Sequence, residues 1–169
     1  FALAPNGISG LGLFRQRDVN GTTNVVRLWA TPWSGYQAPA TRLRGARLLD
    51  TYQDAAAPRD VAEFATALDQ TGAGLVVWTQ ADGSGTRLLA APIATTGIAG
   101  APLGTTTALG SGASAAPTAP RILIDPKTGD AHVLFLQDDG TGRVQLYARR
   151  WLRATGTLGF VGPSSPTSA

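Results

Sequence analysis

The chain repeats itself three times, and the repeated unit is a β-hairpin. Ala131 to Trp151 reads as two apolar, strand-like runs joined at Asp139-Gly140, and Asp-Gly between such runs is a strong short-range hairpin signal. Gly74 to Ile93 is a second copy, joined at Asp82-Gly83. Gly10 to Trp33 is a third, with a longer connection from Asp18 to Asn24. Side chains correspond across the copies. Phe14, Trp78 and Phe135 form one set, Gln16, Gln80 and Gln137 a second, and Asp18, Asp82 and Asp139 a third. Leu28, Leu88 and Leu146 correspond as well, with Ala30, Ala90 and Ala148 two positions on. The aromatic position recurs after 64 residues (14 to 78) and again after 57 (78 to 135).

Each hairpin is flanked by further strand signals. Phe1–Ala4, ended by Pro5-Asn6-Gly7, is a first strand closed by turn chemistry. The hairpin strands of unit one are Leu11–Gln16 and Val25–Ala30, the latter closed by Pro32, and an outer strand is expected within Ala40–Leu49. In unit two, Arg59–Asp69 has helical spacing at Val61, Phe64, Ala65 and Leu68 and good helix formers. Its place in the repeat outweighs that preference, because Phe64-Ala65-Thr66-Ala67 matches Phe1-Ala2-Leu3-Ala4, so a strand is predicted. Leu75–Gln80 and Arg87–Ala91 follow, with an outer strand near Leu103–Leu109. Unit three supplies Ile122–Ile124, its hairpin, and an outer strand in Thr155–Val161. Asp54–Pro58 reads as a linker, and Gly162–Ala169 as a loose tail. The predicted organisation is three repeats: 1–57, 58–117, and 118–169 with that tail.

The faces of the hairpin strands decide how such units associate. Val76 and Trp78 point one way and Leu75 and Val77 the other. Val133 and Phe135 likewise oppose Leu134 and Leu136. A sheet with one solvated face would alternate apolar with polar. Sheets apolar on both sides stay soluble only between neighbours, so the repeats must adjoin. A period near sixty with four short strands per unit is the size of a β-propeller blade. The fold class expected is therefore all-β: three four-stranded antiparallel blades. Three blades fall short of the four to eight that close a ring. The missing blades are expected from the same precursor, another chain or a second copy.

The repeat resembles those of bacterial β-propeller repeat proteins, on Leu134-Phe135-Leu136-Gln137 with Asp139-Gly140 in one strand and Leu146-Tyr147-Ala148-Arg149-Arg150 in the next. The resemblance covers most of the chain and implies the fold. It does not imply an activity, since propellers host lectins, hydrolases, lyases and scaffolds alike.

Composition narrows the class of partner. Apolar residues make up 43% and charged residues 15% of the chain, as in a folded, weakly charged protein. The net charge of +3 comes from scattered Arg, with no basic run interleaved with aromatics, so nucleic acid is not an expected partner. No apolar run approaches the 18 residues of a membrane-spanning helix. Cys is absent, which excludes disulfides and thiolate metal sites. Met is absent too, so the expectation is either a processed leader or a piece of a longer polypeptide. Few Lys, abundant Ala, Thr, Gly and Ser, and the Ser/Thr/Pro-rich end point to an exported bacterial protein, extracellular or at the cell surface.

Candidate chemistry is sparse. Strand-end aromatics Trp33, Tyr36 and Trp151 could stack on a sugar with Arg150 bonding its hydroxyls, whereas Trp29 and Tyr147 read as core. Asp18, Asn20 and Asn24 form the most calcium-like loop, and Asp138-Asp139-Gly140 is a second; both read equally as hairpin turns. Asn6, Asp69 and Asp125 each precede a Gly turn and could line a central channel, or simply form Asx turns. His132 is the single histidine, at a position that is Leu11 and Leu75 in the other copies. Ser84, Ser111 and Ser114 lie in small-residue segments without a nucleophile elbow, and no phosphate-binding Gly loop is present. The expected function is a non-enzymatic binding or structural module, glycan-binding in one version. The alternative is a glycan-acting hydrolase or lyase whose catalytic residues sit on other blades.

Overall fold

The structure, a computed structural model, describes residues 1–18, 24–35, 45–50, 59–81, 85–94, 107–112, 116–154 and 157–160. These form twelve strands and, among the described residues, no helix. They are β1 (Ala2–Leu3), β2 (Ser9–Asp18), β3 (Val25–Ser34), β4 (Arg47–Leu48), β5 (Val61–Leu68), β6 (Ala73–Ala81), β7 (Thr86–Ala94), β8 (Thr107–Gly112), β9 (Thr118–Ile124), β10 (Ala131–Asp138), β11 (Val144–Leu152) and β12 (Thr157–Phe160). They make three four-stranded sheets in sequence order, β1-β2-β3-β4, β5-β6-β7-β8 and β9-β10-β11-β12, antiparallel throughout. Each sheet is one sequence repeat. The predicted linker at 54–58 lies outside the described residues.

The middle sheet is buried on both sides. Val76 and Trp78 of β6, with Leu89, Ala91 and Ile93 of β7, pack on the first sheet's Leu11, Leu28 and Ala30. Leu75 and Val77, with Leu88 and Ala90, pack on the third sheet's Ala131, Val133, Phe135 and Trp151. Period-two alternation alone sorts these residues, so one strand feeds two separate cores. Neighbouring sheets approach most closely through their inner strands, β1 to β5 and β5 to β9. The outer strands β4, β8 and β12 make no comparable approach to another sheet. The three sheets thus fan out from a common inner edge, blade-like and open.

The strand predicted at 59–69 is β5, and its misleading helical spacing has a cause. The register of β5 on β6 shifts between Val61 and Phe64, a β-bulge that puts one extra residue on β5. Val61 and Phe64, three apart, therefore share the face turned to the first sheet. The bulge leaves polar backbone to satisfy. Glu63 N donates to Thr79 Oγ1 at 3.0 Å, and Arg15 of β2 donates to the Val61 and Ala62 carbonyls.

Pro32 does not end its strand. β3 runs on to Ser34 with Pro32 opposite Leu11, and β7 likewise passes Pro92, opposite Leu75. The described outer strands pair only as far as Ala30 and Ala90. Beyond those points the far edge has no described partner strand, and an edge tolerates a residue without an N–H. Strands β2, β3, β6, β7 and β9 are longer than expected by a few residues, while β1, β5 and β12 are shorter than their predicted segments, β8 lies further along the chain at Thr107–Gly112, and the outer strand of the first sheet is only Arg47–Leu48.

Equivalent aromatics sit in unequal places. Trp78 and Phe135 are 0% and 1% exposed, whereas Phe14 is 37% exposed. Trp78→Ala is therefore expected to cost about 3–5 kcal/mol in urea unfolding. Phe14→Ala, at the same place in the repeat, should cost about 1 kcal/mol or less.

Candidate functional site

Topology gathers several singled-out residues at one end of the fan. The β1–β2, β5–β6 and β9–β10 turns lie there, because each joins the first two strands of its sheet. Register brings the far ends of the third strands to the same place, with Gly10 opposite Trp33, Gly74 opposite Ile93 and Ala131 opposite Trp151.

The three turns share one construction. Asn6 Oδ1 accepts from Ile8 N at 2.9 Å and Ser9 N at 3.2 Å. Asp69 Oδ1 accepts from Thr71 N at 2.7 Å and Ala73 N at 3.1 Å. Asp125 Oδ1 accepts from Lys127 N at 2.8 Å and Thr128 N at 3.3 Å. These are Asx turns, each with a glycine at positive φ: Gly7 at 71°, Gly72 at 79° and Gly129 at 76°. The backbone donors hold the Asp125 carboxyl below its ordinary value. The turns also bond to one another. Asn6 Nδ2 donates to Gln70 O at 2.9 Å, and Gln70 N donates to Pro126 O at 3.2 Å.

A charged clasp reinforces the second junction. Arg153 pairs with Asp69 Oδ2 and donates to Thr71 Oγ1 at 3.2 Å. Asp130 receives Arg153 N at 3.1 Å and pairs with Arg150 at 3.0 Å. Gly129 makes room for this: a Cβ there would stand 2.5 Å from Arg153 Cδ and 2.8 Å from Asp69 Oδ2. The inter-turn clasp was not legible in the sequence, because Arg153 and Asp69 are 84 residues apart.

Trp151 serves a different purpose from the one its position suggests. Trp151 is 5% exposed, inside the core between the second and third sheets. A sugar has no access to its face. Ile93 is its counterpart in the second sheet, 5% exposed against the first. Trp33 is the counterpart in the first sheet, half-buried on the side turned away from the second. Arg150 points to the far side of the third sheet, opposite His132, and is engaged by Asp130. Trp33, Trp151 and Arg150 therefore do not converge. Tyr36 lies outside the described residues.

The loop candidates lie at the opposite end. Asn20 and the Asp18 side chain are outside the described residues, and Asn24 Oδ1 accepts from Arg17 at 3.1 Å. Asp138 Oδ1 accepts from Gly140 N at 2.7 Å and Gly142 N at 3.0 Å. Asp139 accepts from Thr141 N and Oγ1 and from Gln145 Nε2. These carboxylates cap their own hairpin. The Thr141 hydroxyl, then its backbone N–H, hold the Asp139 carboxyl down at about 2. Among the described residues no three His, Cys, Asp or Glu side chains are grouped to hold a metal ion. Ser84 and Ser114 are outside the described residues, as is the Ser111 side chain.

A buried ion pair holds the first sheet's outer edge. Arg27 Nε donates to Asp50 Oδ2 at 2.6 Å, and Asp50 Oδ1 accepts from Leu28 N at 3.2 Å. Burial pushes the Asp50 carboxyl above its ordinary value, against the opposing pull of Arg27.

No family model and no curated protein matches the chain. Among the described residues no helix is long and apolar enough to cross a membrane.

Two measurements check this geometry. Asp69→Ala strips the acceptor from its turn and strands Arg153, and is expected to cost about 2–4 kcal/mol; Asp69→Asn, which keeps the turn, should cost roughly half as much. In a carbon-detected NMR titration Asp139 should titrate near pH 2. Its depressed value means the turn's contribution is full above the ordinary carboxylate range and is lost as pH falls through about 2. Thr141→Val should move the midpoint back upward.

Proposed function

We propose that the chain supplies three consecutive blades of a larger β-propeller and serves as a non-enzymatic binding or structural module in an exported, cell-surface or extracellular assembly. The observation that carries this reading is the pair of apolar end faces on an open fan. The first sheet turns Phe1, Leu3 and Phe14 away from the second, and the third exposes Leu123, Val144 and Leu146. Exposed apolar patches of this kind mark interaction surfaces.

The binding surface in this reading is the end formed by the Asx turns and the Arg153–Asp69 clasp, a rigid polar rim. A glycan would meet that rim and not the Trp151 indole, which is enclosed. The resemblance to bacterial β-propeller repeats supports the same fold.

The test is the mass of the native particle from the producing cells, with identification of its polypeptides and its compartment. The expected result is an exported particle well above the 17.4 kDa of one chain. A lone 17.4 kDa species in the cytoplasm would overturn the proposal. A glycan array on that particle separates a lectin from a scaffold. Turnover of a bound glycan would replace both with the hydrolase or lyase reading.

A further inference from the structure

We infer that a second copy of this chain closes the ring, head to tail, so that the outer face of the third sheet seats on the outer face of the first. The inference rests on the propeller reading above and deepens it by naming the occupant.

The argument is the direction of the internal interfaces. The second sheet turns one face toward the preceding repeat and the other toward the following one. The aromatic of the first hairpin strand belongs to the preceding side: Trp78 packs on the first sheet and Phe135 on the second. Phe14 is their counterpart, on the face of the first sheet that has no neighbouring sheet among the described residues. Leu28 and Leu88, both 0% exposed, pack toward the following sheet. Their counterpart Leu146 is 67% exposed, on the face of the third sheet that has no neighbouring sheet among the described residues.

The two open faces therefore carry most of the apolar positions of an interface already made twice inside the chain, with His132 and Arg150 of the third sheet standing where the internal faces have Leu11 or Leu75 and Pro32 or Pro92. The first sheet offers the aromatic half, Phe14 and Trp33. The third offers the aliphatic half, Leu134, Leu136 and Leu146. Two identical aromatic halves would not reproduce that pairing, so the contact is heterologous, and a heterologous contact gives either a ring or an open filament. Two copies of the three described sheets make six, a number within the four to eight of known rings.

The test uses the full 169-residue chain and two surface variants, Phe14→Asp and Leu146→Asp. Sedimentation velocity or mass photometry of the unmodified chain is expected to show a species near 35 kDa, twice the 17.4 kDa monomer. Each variant damages both interfaces of its own dimer and should raise the dissociation constant by about a hundredfold or more. An equimolar mixture of the two variants should regain dimer, because the mixed ring keeps one undamaged interface. Circular dichroism and urea midpoints establish that each variant is folded. If one does not fold, Phe14→Ser and Leu146→Ser repeat the mixing. Recovery in the mixture sustains the inference. A monomer at every concentration overturns the second copy but leaves the propeller reading standing if the native particle holds other polypeptides. Loss of association with Phe14→Asp alone, indicating face-to-face pairing, overturns head-to-tail closure. A ladder of larger species overturns the closed ring.

Discussion

The structure depends on one sheet being enclosed between two others. Strand β6 carries Val76 and Trp78 on one side and Leu75 and Val77 on the other, all without solvent contact. Neither side could face water without exposing large apolar area at about 25 cal/mol per Å². The enclosure also explains the glutamine that accompanies the tryptophan of the second repeat. Buried Trp78 must satisfy its indole N–H, and it donates to Gln80 Oε1 at 3.1 Å. Gln80 in turn donates to the Arg59 carbonyl at 3.0 Å. A polar pair of this kind is stable inside a core because neither member is left unpaired.

Apolar burial presses the sheets together without fixing where they sit, and directional bonds do the fixing. The bulge carbonyls of β5 receive Arg15 from the first sheet, and Glu63 at the same bulge receives Ala119 N of β9. Asn6, Gln70 and Pro126 link the inner turns in a line. The Arg153–Asp69 pair closes the second junction beside them. These contacts lie along the inner edge, where the sheets converge, and this keeps the fan open on its outer side.

Much of the fold was legible because repetition supplies several readings of the same unit. The β5 segment shows the gain. Its own residues favour a helix, and only the match of Phe64-Ala65-Thr66-Ala67 to the opening of the chain points to a strand. The bulge that produced the helical spacing carries no composition signal, so it emerged only with the register. The site was less legible. An indole at a strand end looks the same in sequence whether a sugar or the next sheet covers it. Trp151 proves to be covered by the second sheet, and Trp33 holds the equivalent place without a described neighbour.

By itself the sequence determined that the chain is all-β, that it is divided into three like units, and that its hairpin strands are apolar on both faces. These are local matters of alternation, turn residues and period. Which face meets which neighbour, the direction of the stack, and the Arg153–Asp69 clasp were decided only by tertiary structure. The reason is that they depend on groups as far as 84 residues apart in the chain, and on which side of a sheet happens to be the one left uncovered.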